Sequence, residues 1–178
     1  MNIVFVTNSQ LSSQNLTQIL KTKTGFNSVI LRENLEYYNK FGTRIIEICK
    51  LKGVNFITHN FTNFAIQNSL KSIHFSFLNF KNLDKQILKN FSQILVSVHS
   101  IDELKFAKEN GATAVIYGNI FKTDSHPKKP GVGMDSLINL TKQTDLDVYA
   151  IGGINSKNLD KFSNLDIAGI CMMREFML

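Results

Sequence analysis

The stretch Gly118-Asn119-Ile120-Phe121-Lys122-Thr123-Asp124-Ser125-His126-Pro127 gathers groups suited to holding a charged ligand and moving its protons. It follows a β-branched run at 113–117 and leads into Lys128-Lys129-Pro130-Gly131-Val132-Gly133, ahead of a helical pattern. A strand that empties into a polar, glycine-bracketed loop before a helix is where α/β proteins place their chemistry. Asn119, Lys122, Thr123 and His126 are polar groups just past a strand, the position from which the side chains of a barrel converge on one face.

Other apolar runs end in polar residues of the same kind. Arg32 and Glu33 close one run: a cation for an anionic ligand, and a carboxylate that either pairs with it or works as an acid/base. Ser97, His99 and Ser100 close another, where His99 is either a strand-end structural residue or a proton carrier. His59 and His74 read as an exposed residue and a hydrogen-bonded scaffold residue. Gly152-Gly153 precedes a helical pattern and offers bare backbone amides at a helix N-terminus, which together with Arg174 makes a phosphate cradle.

These residues share a site only if the runs that carry them are arranged in a ring. Strand signals fall at 3–6, 28–31, 54–58, 72–75, 93–98, 113–117, 147–151 and 167–172. Helical patterns lie between them at 11–23, 35–52, 61–70, 83–91, 101–109, 134–144 and 155–162. Ser100 and Glu103 form a capping box at the start of the 101–109 helix, and Asn110-Gly111 closes it. Alternating strands and helices predict an α/β fold with parallel strands and helical crossovers. The even spacing favours a small closed (β/α)8 barrel over an open doubly wound sheet, within one domain covering 1–178. Only a short tail follows Met172, so the last helix is expected to be truncated or missing. The apolar wall it would leave bare is expected to be covered by a partner copy in a homodimer.

Composition excludes several classes. No apolar run approaches the ~20 residues that span a bilayer, and the N-terminus lacks a signal-peptide pattern, so a cytoplasmic protein with no membrane partner is expected. The formal charge of +6 comes from dispersed lysines with no basic block interleaved with aromatics, which argues against nucleic acid and suits a small anionic ligand. Cys49 and Cys171 lie in apolar surroundings without a metal-like or redox-like neighbour and read as buried thiols.

Leu31-Arg32-Glu33, Ser97-Val98-His99-Ser100, the Gly118–Asp124 stretch and Ala150-Ile151-Gly152-Gly153-Ile154 occur in order and spacing that resemble the thiamine-phosphate synthase superfamily of TIM barrels. The loop after the sixth strand is similar to that of its thiazole tautomerase (TenI-type) branch. The resemblance implies a TIM barrel that binds a thiazole phosphate in thiamine biosynthesis and isomerises it by proton transfer, with no metal and no cofactor. It implies phosphate on Gly152, Gly153 and Arg174, Arg32 near the ring or carboxylate, and Ser97, Asn119 and Thr123 lining the pocket. The tautomerase histidine is matched here by Asn119, leaving His126, Glu33 and His99 as candidate acid/base groups. Two alternatives stay open: a divergent thiamine-phosphate synthase, or a non-catalytic phosphate-ligand-binding barrel. In the synthase branch a Gln and a Lys flank the Arg-Glu pair and two Asp residues hold Mg²⁺; the matching positions are Ile30, Asn34, Asn60 and Asn79.

Overall fold

A strand buried on both faces must be apolar along its whole length, and that is how most of this chain's strands read. In the computed structural model, which describes residues 1–123 and 130–178, they close into a barrel in sequence order. The strands are β1 Asn2–Val6, β2 Ser28–Leu31, β3 Asn55–His59, β4 Ser72–Phe75, β5 Gln93–Val98, β6 Ala114–Gly118, β7 Asp147–Ile151 and β8 Gly169–Met172. Each pairs in parallel with the next, and β8 returns to β1 with Asn2 opposite Gly169 and Phe5 opposite Met172. The small (β/α)8 TIM barrel expected from the sequence is the observed fold.

Side chains alternate across the sheet. Val4, Val6, Ile30, Ile57, Leu95, Ala114, Ile116, Tyr149 and Cys171 pack into one cluster, the barrel interior. Their neighbours along the strands, including Phe5, Val29, Leu31, Ile73, Phe75 and Val115, pack outward against the helices. This parity aims Arg32, His59, His74, Ser97 and His99 into the barrel mouth.

The helical layer is α1 Leu16–Thr22, α2 Leu35–Tyr37, α3 Thr43–Leu51, α4 Thr62–Gln67, α5 Phe77–Lys81, α6 Ile101–Glu109, α7 Met134–Thr141 and α8 Arg174–Met177. The long helix expected at 35–52 is present in extent, but it widens into a π turn over Tyr38–Gly42 between α2 and α3. Three expectations change. The 11–23 helix starts at Leu16, because Asn15 caps it by accepting the Thr17 amide. The 83–91 helix is a 3-10 turn at Lys85–Asn90, preceded by the unanticipated α5. The 155–162 helix shrinks to a 3-10 turn at Leu159–Phe162.

The truncated eighth helix is present as the four-residue α8. It buries Phe176 and Met177, and the Phe176 ring packs 5.1 Å from both Phe5 and Phe26. The wall expected to need a partner copy is thus covered from within the chain at this point.

Candidate functional site

The strand ends at the C-terminal side of the barrel open into a pocket of about 780 Å³. Arg32, Ser97, His99, Asn119, Thr123, Gly152, Gly153 and Arg174 all line it, so the structure brings these sequence-predicted residues together. Glu33 does not line it, and His126 lies outside the described residues.

Glu33 turns away because its carboxylate is fully used elsewhere. It accepts from Thr7 Oγ1 at 2.8 Å, the Ser9 amide at 2.9 Å and Ser9 Oγ at 2.6 Å. The expected pairing with Arg32 is therefore replaced by a clamp between the β1 and β2 ends. Arg32 lines the pocket and forms no side-chain hydrogen bond or ion pair with another described residue.

Loop packing at β6 and β7 explains the glycines. The Ile120 amide donates to Ile151 O and the Phe121 amide to Gly152 O, at 2.8 and 3.0 Å. The other arm of the β6 excursion returns at Val132 and Gly133, whose amides donate to Asn119 O and Ile120 O. A Cβ on Gly153, at φ +67°, would lie 2.8 Å from Lys122 O. Gly152-Gly153 does not sit at a helix N-terminus, since the first helical turn after it begins at Leu159. Instead Asn155 and Asn158 donate to Gly153 O at 3.2 and 2.9 Å and hold the loop. The Gly153 and Ile154 amides donate to no acceptor among the described residues. Lys122, Arg32 and Arg174 line the pocket against one described carboxylate side chain, Glu175. Unengaged amides with that charge excess suit an anionic ligand.

His99 is oriented by its neighbours. Its amide donates to Glu103 Oε2 at 2.7 Å, while Ser100 Oγ accepts the Glu103 amide, completing the cap of α6. His99 Nδ1 lies 2.7 Å from Gly118 O, an acceptor, so Nδ1 carries the proton and the Nε2 of the neutral ring is left as an acceptor. Asn119 Nδ2 donates to Phe121 O at 3.2 Å.

His59, read from the sequence as an exposed residue, is instead part-buried against His74, while His74 is the hydrogen-bonded residue expected. Their Nδ1 atoms lie 2.9 Å apart, and His74 Nε2 lies 2.8 Å from Ser97 Oγ. Both line the pocket. Burial, then the Arg32 charge, lowers His59 to about 4. Burial, then His59 and Arg32, pushes His74 well below the ordinary imidazole value. The available signal was strand parity, which places both rings on the inward face of adjacent strands.

The chain matches the thiamine monophosphate synthase family over residues 3–176. It belongs to that family. A thiamine-phosphate synthase of Clostridium acetobutylicum is 26% identical over 156 residues, 85% of this chain and 74% of that protein. Another, from Prochlorococcus marinus, is 27% identical over 137 residues, 75% of this chain and 39% of that protein. The chain likewise spans 50% of an Aquifex aeolicus relative, so it covers half or less of the length of these last two. A solved thiamine phosphate pyrophosphorylase from Pyrococcus furiosus shares the fold at a TM-score of 0.78, with 18% identity over 97% of this chain and 85% of that one.

Membership of the thiamine monophosphate synthase family is therefore shown, and these relatives carry the synthase name rather than the tautomerase name expected from the β6 loop. The Mg²⁺ that the synthase resemblance implies does not fit the donors present. Asn60 Oδ1 accepts the Ser76 amide and its Nδ2 contacts His59. Asn79 is an exposed neutral amide. Among the described residues no group of three His, Cys, Asp or Glu side chains could hold a metal. A hard dication needs carboxylate oxygens that these positions lack. No described helix is long and apolar enough to cross a membrane.

Proposed function

We propose that the chain binds a thiazole phosphate at the C-terminal mouth of the barrel and serves thiamine-phosphate formation, the activity its relatives are named for. The observation that carries this is one pocket lined by Gly153, Ile154, Arg32, Lys122 and Arg174. The phosphate lies on the β7-loop amides and Arg174, with Arg32 and Lys122 countering further negative charge. Ser97, Asn119 and Thr123 contact the heterocycle. Family membership over residues 3–176 supports synthase-type condensation with a pyrimidine pyrophosphate.

A second reading, metal-free proton transfer on the bound thiazole, is favoured by a specific observation. His99 Nδ1 is engaged by Gly118 O, which leaves its Nε2 as the acceptor that a general base requires. In that reading His99 takes the role that Asn119 cannot perform.

Calorimetry with thiazole phosphate tests the shared part: wild type binds, and Arg174→Gln weakens binding by roughly tenfold, about 1.4 kcal/mol. Failure of wild type to bind sinks the proposal. Turnover of the synthase substrate pair separates condensation from isomerisation of a carboxythiazole phosphate that is lost in His99→Gln. Binding without either turnover leaves a ligand-binding barrel.

A further inference from the structure

Four side chains in the barrel mouth form a continuous line of short contacts whose direction can be deduced from one end. Asn60 Oδ1 lies 3.0 Å from the Ser76 backbone nitrogen. A backbone N–H can only donate, so this contact fixes which end of the Asn60 amide is oxygen. Asn60 Nδ2 then lies 2.9 Å from His59 Nε2. An amide NH₂ also only donates, so Nε2 carries no proton, and the neutral His59 ring holds its proton on Nδ1. That atom is 2.9 Å from His74 Nδ1. The ring planes differ by 29° with centroids 4.8 Å apart, and a nitrogen pair this close is a hydrogen bond, not a stacking contact. His74 Nδ1 therefore accepts, and its proton sits on Nε2, 2.8 Å from Ser97 Oγ. Ser97 receives this hydrogen bond, and its own hydroxyl proton is left to be given elsewhere.

The opposite direction is closed. It would place a proton on His59 Nε2 facing the Asn60 NH₂, two donors against each other in a part-buried contact. Turning the Asn60 amide over to relieve this would set its NH₂ against the Ser76 N–H. Burial and the Arg32 charge keep both rings neutral, so a doubly protonated imidazole does not blur the direction.

We infer that Asn60 is a positioning residue that polarises the His59–His74–Ser97 chain, so that Ser97 meets the bound ligand as a hydrogen-bond donor. The site then selects an acceptor atom at that point, such as an unprotonated ring nitrogen or an ester oxygen. The identity of the ligand rests on the thiazole-phosphate reading above; the direction of the chain does not. Asn60→Asp is the informative change, because a carboxylate accepts where the amide donates. It draws a proton onto His59 Nε2, turns His74 over in consequence, and makes Ser97 donate inward to His74.

Long-range ¹H–¹⁵N spectra of the whole chain at neutral pH distinguish protonated from bare imidazole nitrogens. Wild type is expected to show His59 protonated on Nδ1 and His74 on Nε2, and Asn60→Asp to show the reverse for both. Wild-type His59 protonated on Nε2, or an unchanged pattern in Asn60→Asp, overturns the inference. Calorimetry with thiazole phosphate in EDTA adds the functional half. Ser97→Ala and Asn60→Asp each weaken binding by about tenfold, and the double variant is no weaker than either. If Asn60→Asp weakens binding equally in the Ser97→Ala background, it acts by charge alone and the ligand contact through Ser97 is refuted. If wild type binds no thiazole phosphate, the functional reading fails, while the spectra still decide the direction of the chain.

Discussion

Gly152 sits against Asn119 with no room for a side chain: a Cβ there would lie 2.4 Å from Asn119 Cβ and 2.6 Å from its Cα. The residue also holds φ at +106°, a conformation that costs an L side chain about 1–2 kcal/mol. Two penalties therefore coincide where the β7 end meets the β6 loop. Gly25 separates them, because it has φ +88° but nothing within 4 Å of an added Cβ. Gly25→Ala is expected to lower stability by about 1 kcal/mol, the backbone term alone. Gly152→Ala is expected to lower it by at least about 3 kcal/mol and to reduce ligand affinity as the loop shifts. Urea denaturation of both variants checks this; equal losses would mean that the Asn119 contact yields without cost.

Glu33 holds the first two strand ends together. Its three hydrogen bonds to Thr7 and Ser9 leave no oxygen committed to the pocket. Removing it takes away the acceptor of the fully buried Thr7 hydroxyl proton, leaving Oγ1 only the bond it accepts from the Arg32 amide. Glu33→Ala is expected to cost about 2 kcal/mol of stability, while the affinity of folded protein for thiazole phosphate stays unchanged. Lost affinity or turnover at undiminished stability would return Glu33 to the acid/base role that its place beside Arg32 suggested.

The contrast between Glu33 and His74 shows what a sequence can carry. Strand parity and strand ends are local, so the barrel and eight of the pocket-lining residues were legible from apolar runs and the polar residues after them. Side-chain partners are not local. Glu33 is held by residues 24 and 26 positions away, and His74 is paired with His59 15 positions earlier. Nothing in the local pattern around His59 separates a solvated histidine from one that pairs across two strands. The helix expected after Gly152-Gly153 failed for a related reason. Asn155 and Asn158 turn their side chains onto Gly153 O, and such local bonds compete with helix formation.

The paired imidazoles make stability sensitive to mild acid. His59 is lowered from 6.5 to about 4, by burial first and Arg32 second, and His74 is pushed the same way by burial, His59 and Arg32. At pH above the ordinary value both rings are neutral folded or unfolded, so they add no pH dependence. As pH falls below 6.5 the unfolded chain binds protons that the folded chain refuses, so stability is lost down to about pH 4 for His59. Each ring contributes a slope of up to about 1.4 kcal/mol per pH unit in that window. His59→Gln is expected to flatten the pH dependence measured by urea denaturation, relative to wild type. Parallel curves for the two proteins would show that His59 does not resist protonation in the fold.

Thr58 precedes His59 on β3 and points the other way, into the layer between sheet and helices. It is fully buried, and its Oγ1 has no hydrogen-bond partner among the described residues. An unpartnered buried hydroxyl costs about 1–3 kcal/mol relative to an apolar group of the same shape. Valine has that shape, replacing the hydroxyl with a methyl group in the same β-branched side chain. Thr58→Val is therefore expected to raise stability by about 1 kcal/mol, which for a chain of this size raises Tm by roughly 2–4 °C. Because Thr58 does not line the pocket, affinity for thiazole phosphate should be unaffected. A lower Tm in Thr58→Val would mean that the hydroxyl is satisfied in solution, with a water bridging it to the neighbouring backbone as the first candidate.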